Sequence, residues 1–289
     1  MIEALANPCL GRKSHLFDGL HSRPWATLKP MSTDLHPFDR AVALTATGVP
    51  NQYRGQASPD YWNMVGPYGG ITAASLVQAM QQHPQCLGDP ISITVNYAAA
   101  VGPGAFEIEA NPVRTNRSTQ HWILTVLQPD ADGKMQVVTT ATAVTAVRRD
   151  TWSVSDMPMP AVKPAAEFER VPPLFKGVEW LARYEMRFVD GILPKEEDGS
   201  ERDSLTQLWV RDNPPRPLDF ASLAAVSDVF FPRAWLRRAK RVPAGTVSIT
   251  VYFHAGREEL AAVGDDLLLA QARGQEFRNG FFDQTAQLW

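Results

Sequence analysis

The second half of this 289-residue chain carries a carboxylate and a hydroxyl that stand apart from their surroundings: Asp228 in AVSDVFF and Thr246 in GTVSITVYFHAG. A carboxylate working with a hydroxyl can hold and deprotonate a water molecule without a covalent intermediate. The ordinary alternatives are an aspartate that hydrogen-bonds near a helix end and a threonine that serves as a plain strand residue. The turn GPYGG brings the backbone N–H groups of Gly69 and Gly70 to a helix N-terminus, which attracts anions. It lacks the GK[ST] ending of a phosphate-binding loop, and a steric role, letting the chain pass closely, competes. The segment WLRRAKR supplies Arg237, Arg238, Lys240 and Arg241, a cluster able to grip phosphate or to remain a solvated loop. His121 and His254 have no carboxylate spaced to make a catalytic pair, which leaves them as core or edge residues. Trp62, Trp122, Phe230 and Phe231 read as core or pocket lining.

The elements that must position these groups come in two matching series. In the first, strand-like ALTATGVPNQYRGQAS leads through the glycine turn into a helix. Its apolar positions Ile71, Ala74, Leu76, Val77 and Met80 keep helical spacing, and Pro84 marks its end. Four strand segments follow: ISITVNYAA, AFEIEANPVRT, TQHWILTVLQ and MQVVTTATAVTAV, separated by Gly-Pro-Gly, Asn-Arg-Ser and Asp-Ala-Asp-Gly turns. The second series runs YEMRFVDGI, LTQLWVRD, a helix over LDFASLAAVSDVFF, then GTVSITVYFHAG, DDLLLAQARGQEF and GFFDQTAQLW. The helices share Ala-Ser-Leu (Ala74–Leu76 and Ala221–Leu223) and the following strands share Ile-Thr-Val (Ile93–Val95 and Ile249–Val251). Identities placed in the same order of elements indicate an internal duplication. Aligned on these matches, Asp228 falls on Gln81 and Thr246 on Pro90, so both chemical groups belong to the second copy alone. The expected architecture is α+β, each half a long helix wrapped by a curled antiparallel sheet. The divisions are a loose leader over 1–40, a first unit over 41–148, a proline-rich linker over 149–176 and a second unit over 177–289. Met31 is a candidate start of a shorter natural protein.

Composition excludes several classes. Lysine plus arginine is 28 against 31 acidic residues, a net charge of -3, so no basic field gathers nucleic acid. Two cysteines, Cys9 and Cys86, make neither a disulfide framework nor a metal motif, which fits a reducing cytoplasm. No apolar run approaches the roughly 18 to 20 residues of a membrane span.

WNMVGPYGGITAASL resembles the helix start of hotdog-fold thioesterases, and SDVFF followed by a T-x6-FH strand resembles the acyl-CoA thioesterase II family, a double hotdog in one chain. The resemblance spans residue 41 onward. It implies hydrolysis of acyl-CoA without a cofactor, an aspartate matched by Asp228, a threonine or serine matched by Thr246, and a homodimer or higher oligomer. The basic cluster Arg237, Arg238 and Arg241 then faces the coenzyme A phosphates, and Gly69 and Gly70 the thioester or pantetheine. The family's third residue, a final-strand glutamine, has no counterpart here; Gln284 and Gln287 fall one strand too early, and the final strand itself is absent from the second unit. A double-hotdog hydratase normally carries Asp-x4-His, and Arg233 stands where that histidine would be. A non-catalytic acyl-CoA or lipid-binding protein is the other alternative.

Overall fold

The computed structural model describes residues 2–5 and 35–289. Period-two alternation builds its sheet. In β5 (Ala105–Thr115) Phe106, Ile108 and Ala110 are buried, while Glu107 and Glu109 turn to the opposite, more open face. The same logic gives β2 (Thr45–Ala46), β3 (Gln52–Gln56), β4 (Asp89–Tyr97), β6 (Thr119–Pro129) and β7 (Met135–Ala146) in the first half. The second half supplies β8 (Tyr184–Asp190), β9 (Thr206–Asp212), β10 (Ala244–Tyr252), β11 (Leu268–Arg278) and β12 (Phe281–Leu288). Helix α2 (Gly69–Gln81) buries Ile71, Leu76, Val77 and Met80 and also the small residues Ala73, Ala74, Ser75 and Ala79. A helix covered on every side belongs inside, and this one lies in the curl of the sheet.

Among the described residues twelve strands form one antiparallel sheet in the order β2-β3-β5-β6-β7-β4-β10-β1-β12-β11-β9-β8, where β1 is Ile2–Leu5. Read from the centre outward, β4, β7, β6, β5, β3, β2 on one side answer β10, β1, β12, β11, β9, β8 on the other. The architecture is the expected tandem hotdog. At its seam the two echoing segments pair with each other: Val95 with Ile249, Thr94 with Thr250, and Ile93 with Val251. The two threonine hydroxyls meet at 3.0 Å on the outer face, and Ile93, Val95, Ile249 and Val251 are buried on the inner one.

The structure departs from the sequence reading in three places. The leader over 1–40 is structured at its ends: Ile2–Leu5 is a strand, and α1 (Pro37–Ala41) is a helix capped by the His36 ring, which accepts from the Phe38 N–H. Cys9, His15, His21 and Met31 lie outside the described residues. The strand position that the second half does not fill from its own sequence is held by β1, between β10 and β12. Finally, α3 is only Phe220–Val226. The Ser227 hydroxyl donates to the Ala224 carbonyl and the Asp228 N–H to that of Ala225, a tightened last turn that ends the helix before Asp228. Short helices α4 (Arg233–Arg237) and α5 (Arg257–Val263) follow. Among the described residues no helix is long and apolar enough to cross a membrane.

Because one sheet runs through both halves, the seam should hold them in one folding unit. Ile249→Ala is expected to cost about 2–5 kcal/mol and to leave a single unfolding transition. Chemical denaturation followed by tryptophan fluorescence and far-UV circular dichroism checks this; two separated transitions would refute it.

Candidate active site

Asp228 follows α3 directly and is 7% exposed. It faces the first turn of α2 from the other half of the molecule, where Gly69 lies against its carboxylate and the Gly70 N–H favours the charged form. Gly69 lies against it so closely that a Cβ there would stand 2.8 Å from Asp228 Oδ2 and 3.3 Å from the Tyr97 ring. A Cβ on Gly70 would meet the Ala225 carbonyl oxygen at 2.6 Å. The two glycines are therefore required by close approach at this crossing, where α2 enters against the end of α3.

The surrounding groups are tyrosines. Tyr97, the last residue of β4, donates to the Gly69 carbonyl at 2.8 Å. Tyr68, just ahead of α2, donates to the Ala225 carbonyl, and its ring stacks on Trp180 at 4.3 Å. This wall leaves Asp228 little water. Burial drives its carboxyl up to about 7, although the Gly70 N–H pulls the other way. The positive end of α2 also favours the anion, so desolvation is the stronger effect here. Burial, followed by the Asp228 charge, raises the Tyr97 phenol well above its ordinary value and keeps it a donor. Neither Tyr97 nor Tyr68 was singled out from the sequence. The repeat held the signal for Tyr97: it lies two residues past the shared Ile-Thr-Val, where the second copy has Phe253.

Thr246 lies on β10, the strand that pairs with β4. Ser248 of β10 pairs with Asn96 of β4, the residue before Tyr97. The half-buried Thr246 lies two residues ahead of that pair. The equivalent end across the seam is filled differently. Phe253 packs edge-on against Phe220, the first residue of α3, at 5.8 Å, and Arg148 donates to the carbonyls of Pro90, Phe253 and His254.

The remaining sequence candidates separate. Arg237 pairs with Glu201 at 3.3 Å, Arg241 with Glu197, and Arg238 is exposed. Arg233 is fully buried, its guanidinium donating to the Phe231 and Ser204 carbonyls and the Thr206 hydroxyl. It stands at the hydratase histidine position and serves the core. His121 and His254 are exposed. Gln284 and Gln287 lie on β12, one strand from the slot that β1 holds. A small cavity of about 20 Å³, room for about one water, opens beside Ile71, Thr72, Ser75, Val101 and Phe106, one turn into α2.

Family profiles match both halves: the acyl-CoA thioesterase N-terminal domain over residues 58–146 and the acyl-CoA thioesterase C-terminal domain over residues 153–289. A hot-dog-fold protein of unknown function from Alicyclobacillus acidocaldarius is 44% identical, with a TM-score of 0.81 over 88% of this chain and 92% of that one. A putative thioesterase II from Thermobifida fusca is 20% identical, TM-score 0.73, covering 88% of this chain and 93% of its own. An acyl-CoA thioesterase II from Mycobacterium marinum is 17% identical, TM-score 0.68, covering 87% and 91%. The last two share the fold. A search of curated proteins returns no match. The chain belongs to the acyl-CoA thioesterase family of double hotdog proteins.

The raised carboxyl fixes a sign for stability. From about pH 4 to about pH 7 the folded state holds a proton at Asp228 that the unfolded chain has released, so stability falls as pH rises through that window. Asp228→Asn removes the cost of the buried charge. Its melting temperature relative to wild type should be higher at pH 8 than at pH 5, by the equivalent of about 2–4 kcal/mol. Thermal melts at the two values decide it, and a pH-independent difference would count against a buried, ionising Asp228.

Proposed function

We propose that this chain hydrolyses acyl-CoA thioesters to a free carboxylic acid and coenzyme A, with Asp228 and Thr246 as its catalytic pair. Water attacks the thioester carbonyl carbon while Asp228 takes its proton and the Thr246 hydroxyl orients it. The C–S bond then breaks, and the departing thiolate receives that proton. The observation that carries this reading is a carboxyl buried against the first turn of α2 and pushed up to about 7, a suitable poise for a general base. In this reading the α2 N-terminus around Gly69 and Gly70 faces the thioester, and Arg237, Arg238 and Arg241 take the phosphates of coenzyme A. The units act as a tandem over 41–148 and 177–289 joined by 149–176, in the cytoplasm, as a homodimer or higher homo-oligomer.

The second reading is a non-catalytic acyl-CoA binder. It is favoured by one observation: the strand slot that carries a glutamine in the resembled enzymes is held by β1.

Continuous thiol release from a panel of acyl-CoAs tests both. Hydrolysis by the wild type is expected, with kcat/KM rising with pH through about 7 and levelling above, as the carboxylate forms. Asp228→Asn should lower kcat by about 10²–10⁴, and Thr246→Ala should lower it by a smaller factor. Saturable acyl-CoA binding without thiol release would establish the binder instead, and unchanged turnover in both variants would remove the proposed pair while leaving hydrolysis standing.

A further inference from the structure

We propose that β1 serves as the last strand of the second hotdog, and that its register against β10 aims Thr246 into the site. The second part rests on the catalytic reading of Thr246.

Two independent features of the backbone support it. In the mirrored strand order β1 answers β7: β7 runs antiparallel between β6 and β4, and β1 antiparallel between β12 and β10. The irregularity in the pairing is mirrored too. β7 pairs Val144 with Ser92 and then Thr145 with Pro90, passing over Ile91. β1 pairs Ile2 with Ser248 and then Glu3 with Thr246, passing over Val247. Ile91 and Val247 hold the same place, two residues ahead of the shared Ile-Thr-Val. Both strands thus carry a β-bulge at the same point of the repeat.

The first copy shows what this bulge does. Strict alternation from the buried Ile93 would put Pro90 on the opposite face, yet Pro90 is buried with Ile93 and Val95. The extra residue turns it inward, the re-aiming that bulges perform. Thr246 occupies the corresponding place in β10, and the same bulge turns it to the face where α2 and Asp228 lie. Without the bulge, alternation from Ile249 would leave Thr246 on the outer face with Ser248 and Thr250.

β10 depends on β1 to hold this geometry. Its pairing with β4 covers only residues 248–252, so residues 244–246 take their ladder partners from β1. Removing β1 leaves the Thr246 segment unpaired and opens the edge of β12, a vacant strand position that an extended peptide can enter.

The test deletes residues 1–5 from the full chain and follows thiol release. A loss of about 10- to 100-fold in kcat is expected for a displaced catalytic group, recovered saturably by a free MIEAL peptide and not by a scrambled one. Combined with Thr246→Ala, the deletion should add little further loss, because both act through one hydroxyl. Unchanged turnover on deletion, or losses that multiply, would overturn the role of β1. A variant with one alanine inserted between Ile2 and Glu3 keeps the strand but removes its offset against β10, and covers the case in which the deletion does not fold. Lowered kcat with little change in KM is expected, and unchanged turnover again overturns the proposal. A silent Thr246→Ala sinks the catalytic reading itself, whereas an impaired Thr246→Ala beside an unimpaired deletion sinks only β1.

Discussion

The antiparallel pairing of β4 with β10 is the contact on which the molecule turns. It joins two curled sheets into one, and it does so through the segment the halves share, so each Ile-Thr-Val lies against its own echo. That pairing leaves two equivalent sheet ends, one on each side of the Thr94–Thr250 contact. It pairs the end of β4 with the middle of β10, Asn96 against Ser248. The meeting of the two halves is also what buries Asp228, since its covering groups, Gly69, Gly70 and Tyr97, all come from the other copy.

A duplicated scaffold offers two equivalent sites, and this chain has made them unlike. Where one end has Tyr97 hydrogen-bonded to the first residue of α2, the other has Phe253 packed on the first residue of α3. Where Thr246 stands, the other end has Pro90, with neither a hydroxyl nor an N–H. Arg148 ties down the strand-end carbonyls around Pro90 and Phe253. The second end is thereby sealed by packing and by a guanidinium, and the exchange of a single hydroxyl between Tyr97 and Phe253 belongs to the same divergence.

Much of this was legible because it is local. The strands from β4 to β12 are legible in order and position, with β10 ending four residues before its expected segment and β11 starting three residues into its own, and the glycine turn with its apolar spacing marks α2. Comparing the copies singled out Asp228 and Thr246. What escaped depends on non-local pairing. Four residues of β1 carry no measurable period, and their partners lie more than two hundred positions along the chain. The bulge that turns Thr246 inward exists only against a neighbouring strand, so alternation alone misplaces it. The end of α3 is set by Ser227 and Asp228 bonding back to Ala224 and Ala225, which the continuing apolar run through Val229 and Phe230 conceals. Tyr97 is hidden for another reason: its hydroxyl distinguishes the first copy, whereas Asp228 and Thr246 distinguish the second.

The arginines show how far a basic segment can be read without its surroundings. Arg233, in the same run of cations, is committed to the interior, where four donor contacts to Phe231, Ser204 and Thr206 leave it no part in binding. Arg216 is likewise held by Asp39, Asp212 and Asp219. Arg237 and Arg241 differ because their partners, Glu201 and Glu197, form solvent-facing pairs, which contribute little to stability. A phosphate offers a guanidinium two parallel hydrogen bonds and more charge than a carboxylate. For the proposed coenzyme A contact, Glu197 and Glu201 are therefore weak competitors that hold the cations in place until a stronger anion arrives. Arg216 could not make that exchange without leaving the buried Asp212 without its cation.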